Sequence, residues 1–154
     1  MSLISRPFSR RARQRARRTA MQALYEVLLS HKTVAEILNR YIDDDSLKRA
    51  DRDYFRKLVK GACEQRQQLD ENIAPLLDRP LKELDPIELS ILHIGMYELI
   101  YEPDMPSRAV INEAVELAKY FAADPTRKLV NGVLGAVASK EIDSTDETTE
   151  SSDS

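Results

Sequence analysis

Three observations predict an all-α protein of about seven helices. The 154-residue chain has only 4 Gly and 6% aromatic residues, and no run of alternating β-branched side chains of the kind that marks strands. Apolar residues recur instead at three- and four-residue spacing along most of its length. One stretch, Asp85–Tyr101, reads DPIELSILHIGMYELIY and is apolar nearly all round, as expected of a helix enclosed by other helices. The chain is 42% hydrophobic, enough for a core, and its length suits one domain of ordinary proportions.

In chain order, residues 1–9 read as a flexible basic leader, and Arg10–Ser30 as the first helix. Ala12, Ala16, Ala20, Ala23, Leu24 and Val27 share its inner face. Arg10, Arg13 and Arg17 flank that face on one side; Arg11, Arg15 and Arg18 lie on the other, with Tyr25 further along, so the arginines are expected to point outward. Thr33–Tyr41 is a short second helix, its Thr33 and Glu36 in capping-box spacing. A polar turn at Asp43–Ser46 leads to a long helix, Arg49–Leu69, with Tyr54, Leu58, Ala62, Gln65 and Leu69 at helical spacing. Ile73–Leu77 is a short helix ended by the break at Asp78-Arg79-Pro80.

Asp85 then caps the central helix, with Pro86 at its first position and Glu88 placed to complete a capping box. At 1.5 Å per residue this helix runs about 25 Å, and its polar ends make it too short to span a membrane. Gly95 would let a neighbouring helix approach closely. Pro106 opens the next helix, to Phe121, whose inner face is Val110, Ala114, Leu117, Ala118 and Phe121. Asp124-Pro125 starts the last, to about Ala138, with Leu129, Val130, Val133, Leu134 and Val137 inward. Residues 10–139 thus read as a single helical domain. Residues 140–154, rich in Ser, Thr and acids with Ile142 as the sole apolar residue, read as a disordered tail.

Net charge is −3, but its distribution is uneven. Residues 1–25 carry Arg6, Arg10, Arg11, Arg13, Arg15, Arg17 and Arg18 and no acid; residues 140–154 carry six acids and one lysine. Arginines at a helix N-terminus oppose the macrodipole and repel one another. A phosphate backbone would reverse both effects and add bidentate guanidinium contacts. The basic start therefore points to nucleic acid, RNA or DNA; a solvated basic leader is the plainer alternative. An acid-free, Arg- and Ser-rich start also fits a transit peptide, although here the arginines run without a break into the first helix.

Arg127-Lys128 form a second basic spot. Asp51, Asp53, Glu113 and Glu116 read as surface charges. His93, on the apolar central helix, reads as packed or partner-facing. Two histidines and one cysteine with no cluster argue against a zinc site, and the four glycines form no phosphate loop. Cys63 reads as core, and its lone thiol suits a reducing compartment. No catalytic constellation, cofactor motif or metal site is found, so an enzyme is not expected.

The segments ARRTAMQALYEVLLS (Ala16–Ser30), LDPIELSILHIGMYEL (Leu84–Leu99) and VINEAVELAKYFAADPTRKLVNGVLGAVA (Val110–Ala138) resemble the NusB transcription antitermination factors, in the family's order. The resemblance implies seven or so helices in two packed bundles in a cytoplasmic protein. It further implies binding of the boxA element of nascent ribosomal RNA as single strand, together with NusE, a small-subunit ribosomal protein, and assembly of an antitermination complex on RNA polymerase. By resemblance, Arg13, Arg15 and Arg17 fall on the RNA-binding segment, with Arg10, Arg11 and Arg18 beside them. Lys128, next to Arg127, falls near the RNA surface, and Tyr25, Glu88 and His93 fall where family members meet NusE. Leu129 stands where some relatives have phenylalanine. Self-association of the free chain, with generic polyanion binding, is the alternative.

Overall fold

The computed structural model describes the backbone of residues 9–43 and 45–153, and side chains up to Lys140 apart from Asp44 and Ser46. The first eight residues, expected as part of the leader, lie outside the described residues. Among the described residues there are seven α-helices and no strand, the class read from the sequence. They divide into two compact units, Met1–Arg66 and Gln67–Ser154.

In the first unit, α1 (Arg10–Leu29) starts at Ser9, whose hydroxyl accepts from the Ala12 N–H at 3.1 Å. α2 (Val34–Ile42) is capped by Thr33, which accepts from the Glu36 N–H. A 3₁₀ turn at Asp45–Leu47 leads to α3 (Arg52–Glu64). Ala12, Ala16, Ala20 and Ala23 are all buried, and their small side chains let α3 lie close along α1. Tyr54, Phe55, Leu58, Val59 and Ala62 of α3 and Ile37, Leu38 and Tyr41 of α2 complete this core. At the far end of α1, Glu26 accepts from Arg40 and from the Tyr41 hydroxyl (3.2 Å), and the Arg40 hydrogen bond holds its carboxyl below the usual range.

The long helix expected over Arg49–Leu69 is two. It starts only at Arg52, because Asp51 caps it by accepting from the Tyr54 N–H at 3.0 Å. It ends at Gln65, which leaves the helical region with φ −100° and ψ 15°, and α4 (Arg66–Ile73) follows. No glycine or proline marks that break, so spacing alone runs through it. Ile73–Leu77 is shorter than expected, a 3₁₀ turn at Ala74–Leu76.

In the second unit, α5 (Pro86–Tyr101) is the buried centre, with every residue from Ser90 to Leu99 buried. Its start is the expected capping box: Asp85 accepts from Ile87 N–H (2.7 Å) and Glu88 from Asp85 N–H (3.1 Å). α6 (Ser107–Phe121) and α7 (Asp124–Asp153) pack on it. α7 continues past its expected end near Ala138 into the segment expected to be disordered, and no Gly or Pro after Gly135 stops it there.

At Gly95 α5 meets its neighbours closely. A methyl group there would lie 2.5 Å from Leu134 Cδ1 and 3.4 Å from Ala114 Cβ, and both of those residues are buried. Gly95→Ala is therefore expected to cost about 1–3 kcal/mol of stability by overpacking. Denaturant unfolding should show that Gly95→Ala combined with Leu134→Ala loses less than the sum of the single changes. Strict additivity would mean that this contact does not limit the packing.

Candidate nucleic-acid interface

The arginine head is built where the N-terminal ends of α1 and α3 meet. Asp51 joins them: its N–H donates to the Ala12 carbonyl at 3.0 Å, its Oδ1 caps α3, and its Oδ2 lies 3.6 Å from Arg13 Nε. Expected at the surface, Asp51 is only 3% exposed. Glu113, also expected there, is buried as well.

Above Asp51 lies the Tyr54 ring. The Arg13 guanidinium sits over it at 4.3 Å from the centroid, and that of Arg17 at 5.5 Å. Both lie within cation–π range. Arg17 is 3% exposed, so the expectation that all the arginines point outward is corrected for this one. Its stem fills space between α1 and α3, a use of arginine that charge counting does not reveal. Arg10 and Arg11 are exposed, and Arg13, Arg15 and Arg18 half-buried. Arg15 makes a long contact of 3.5 Å from Nη1 to the Arg49 carbonyl, just before α3.

Arg127 and Lys128 belong to the second unit, on the first turns of α7. Arg127 pairs with Asp124 at 3.0 Å, and Lys128 is exposed. Both line a shallow depression of about 310 Å³ between α6 and α7, with Asn112, Val115, Lys119 and Asn131. Tyr120, 62% exposed, is next in sequence to Lys119, and its ring meets Phe121 edge-on at 4.8 Å. A cationic and amide-lined depression has the chemistry that the phosphates of a single strand use, and an exposed ring elsewhere on α6 has the chemistry that bases use. The sequence reading missed Asn112, Lys119 and Tyr120; the seven-residue spacing of Asn112 and Lys119, which puts them on one flank of α6, was the available signal.

The three expected partner residues differ. Tyr25 is half-buried on α1. His93 is not at the surface: it is buried on α5, with Nε2 2.7 Å from Asp70 Oδ1 of α4, so its polar edge is used inside the chain. Glu88 is engaged in the fold as well. It accepts from the Asp85 N–H and the Thr126 hydroxyl (3.4 Å), and pairs with Arg79 at 3.3 Å.

Among the described residues no group of His, Cys, Asp and Glu could hold a metal ion, and no helix is long and apolar enough to cross a membrane. Cys63 lines an apolar groove between α2 and α3, and burial pushes its thiol up, away from the thiolate a nucleophile needs.

Known proteins match this architecture over most of its length. Residues 14–139 match the model of the NusB family. The transcription antitermination protein NusB of Shewanella amazonensis is 44% identical over 83% of this chain and 96% of its own. That of Idiomarina loihiensis is 46% identical over 80% and 88%. Among solved structures, NusB of T. maritima superposes with a TM-score of 0.71 at 27% identity, over 82% of this chain and 90% of that one. A crystal structure of the antitermination factors NusB and NusE in complex with double-stranded RNA superposes with a TM-score of 0.72 at 28% identity, over 86% and 99%. The matched region takes in most of α1, the capped central helix and all of α6, and the chain belongs to the NusB family.

Proposed function

We propose that this chain is a cytoplasmic transcription antitermination factor, not an enzyme. It binds boxA-type single-stranded RNA of nascent ribosomal transcripts as a heterodimer with NusE and helps assemble the antitermination complex on RNA polymerase. The observation that carries this reading is the convergence of two helix N-termini and a row of arginines on one end of the first unit. The NusB–NusE–RNA relative supports the choice of RNA and of partner.

In this reading the exposed Arg10 and Arg11 and the half-buried Arg15 and Arg18 contact phosphates and set the position of the strand without reading its sequence. On the second unit, Arg127 and Lys128 are phosphate contacts, and Tyr120 offers a face for a base. Sequence selection falls to unstacked bases read jointly with NusE. Tyr25 is a contact for NusE.

The test is binding of a boxA-type single strand, a scrambled strand and an RNA duplex, with and without NusE, across a salt series. Tight, NusE-enhanced preference for the boxA strand is expected; weak binding blind to sequence and partner would reduce the arginine head to a general polyanion contact. Within that series, Arg11→Ala and Arg15→Ala should each flatten the slope of log affinity against log salt by roughly 0.7 per lost phosphate contact. Arg17→Ala should instead lower stability by about 1–2 kcal/mol through lost packing. A flattened slope at unchanged stability for Arg17→Ala would contradict its bracing role.

For the partner face, Tyr25→Ala should weaken NusE binding by roughly tenfold or more in titration calorimetry, with the melting temperature held. Glu88→Lys should lower stability by about 1–2 kcal/mol, because it removes a cap bond. Unaltered stability in Glu88→Lys would show that the capping box contributes little.

A further inference from the structure

We propose that Asp51, the cap of α3, and Tyr54, on its first turn, are positioning residues for RNA binding, a template that holds the Arg13 guanidinium in place before RNA arrives. The proposal rests on the RNA-binding reading above and adds residues that carry no exposed charge of their own.

An arginine on a helix surface samples many rotamers, and a phosphate contact must freeze them. Arg13 is already confined. Its guanidinium lies 4.3 Å from the Tyr54 centroid, and its Nε faces Asp51 Oδ2 at 3.6 Å. The confining groups are themselves fixed: Tyr54 is 4% exposed, and Asp51 is bonded at once to the α3 N-terminus and to the Ala12 carbonyl. Arg17 lies over the same ring at 5.5 Å and helps to hold it. Even so, 42% of the Arg13 side chain is exposed. Because the ion pair uses Nε, the Nη edge is the one left to a phosphate, and that edge presents two parallel donors.

The choice of acid at position 51 supports the same conclusion. Ser, Thr or Asn caps a helix about as well as Asp and adds no negative charge. A carboxylate beside a polyanion site is electrostatically unfavourable unless it orders a cation there. Here the cation it faces is Arg13, and its burial keeps it behind the guanidinium, which is the half-exposed group of the pair.

The experiment measures binding of the boxA-type strand by the full chain, with thermal melting alongside, for Arg13→Ala, Arg13→Lys, Tyr54→Phe, Tyr54→Leu and the pair Tyr54→Leu with Arg13→Ala. Tyr54→Phe keeps the ring and should bind like the parent. Tyr54→Leu removes it and should weaken binding by roughly three- to tenfold, the range of a cation–π contact, with the salt slope unchanged because no charge is lost. In the Arg13→Ala background Tyr54→Leu should have no further effect. Arg13→Lys keeps the charge but not the planar fork, and should lose most of what Arg13→Ala loses. This surface variant decides the matter if Tyr54→Leu fails to fold.

Parent-like binding by Arg13→Lys, or independent additive losses from Tyr54→Leu and Arg13→Ala, would overturn the template while leaving RNA binding intact. No binding of the strand by the parent chain would overturn the functional reading and the template together.

Discussion

One carboxylate, that of Asp51, ties the ends of α1 and α3 together in the first unit. Two helix N-termini, each carrying about half a positive charge, are brought together among arginines, an arrangement that is repulsive in every pair. Asp51 answers it from a buried position. It caps α3, receives Arg13 and ties its own N–H to the first turn of α1. The alanine face of α1 then lets α3 approach, and the Tyr54 ring rises between them to carry two guanidinium groups. An acid expected to be a surface charge is the joint on which the basic surface is mounted.

The second unit solves a different problem. Its central helix has no polar face, so its position is set by what surrounds it and by how its ends are finished. Glu88 finishes the start, bonding to the cap residue, to Arg79 and to Thr126 of α7. Gly95 allows a close approach on one side, and His93 joins α4 through Asp70. Two residues that family resemblance places toward a partner are thus also parts of the scaffold. A change at either one removes bonds of the scaffold.

The arginine head follows the same logic. Arg17 is buried against α3, Arg13 is half-exposed and held, and Arg10 and Arg11 are exposed. A graded surface of this kind separates the ordering of cations from their contact with phosphate.

Much of this was legible in the residues alone. Local capping chemistry and helical spacing determined the central helix to the residue, the starts of α2 and α7, the close approach at Gly95 and the clustering of arginines on the first helix. These are properties of neighbours in sequence, and neighbours are what a sequence displays. The family resemblance supplied RNA and NusE, which charge alone does not specify. Only tertiary structure decided the break at Gln65, which no glycine or proline announces, and the burial of Arg17, Asp51 and His93. Each of those depends on a residue brought from another helix: Tyr54 beneath Arg17, Ala12 and Arg13 beside Asp51, Asp70 against His93. Whether a polar side chain faces water or a partner within the fold is set by what packs against it, and spacing along one helix carries no record of that.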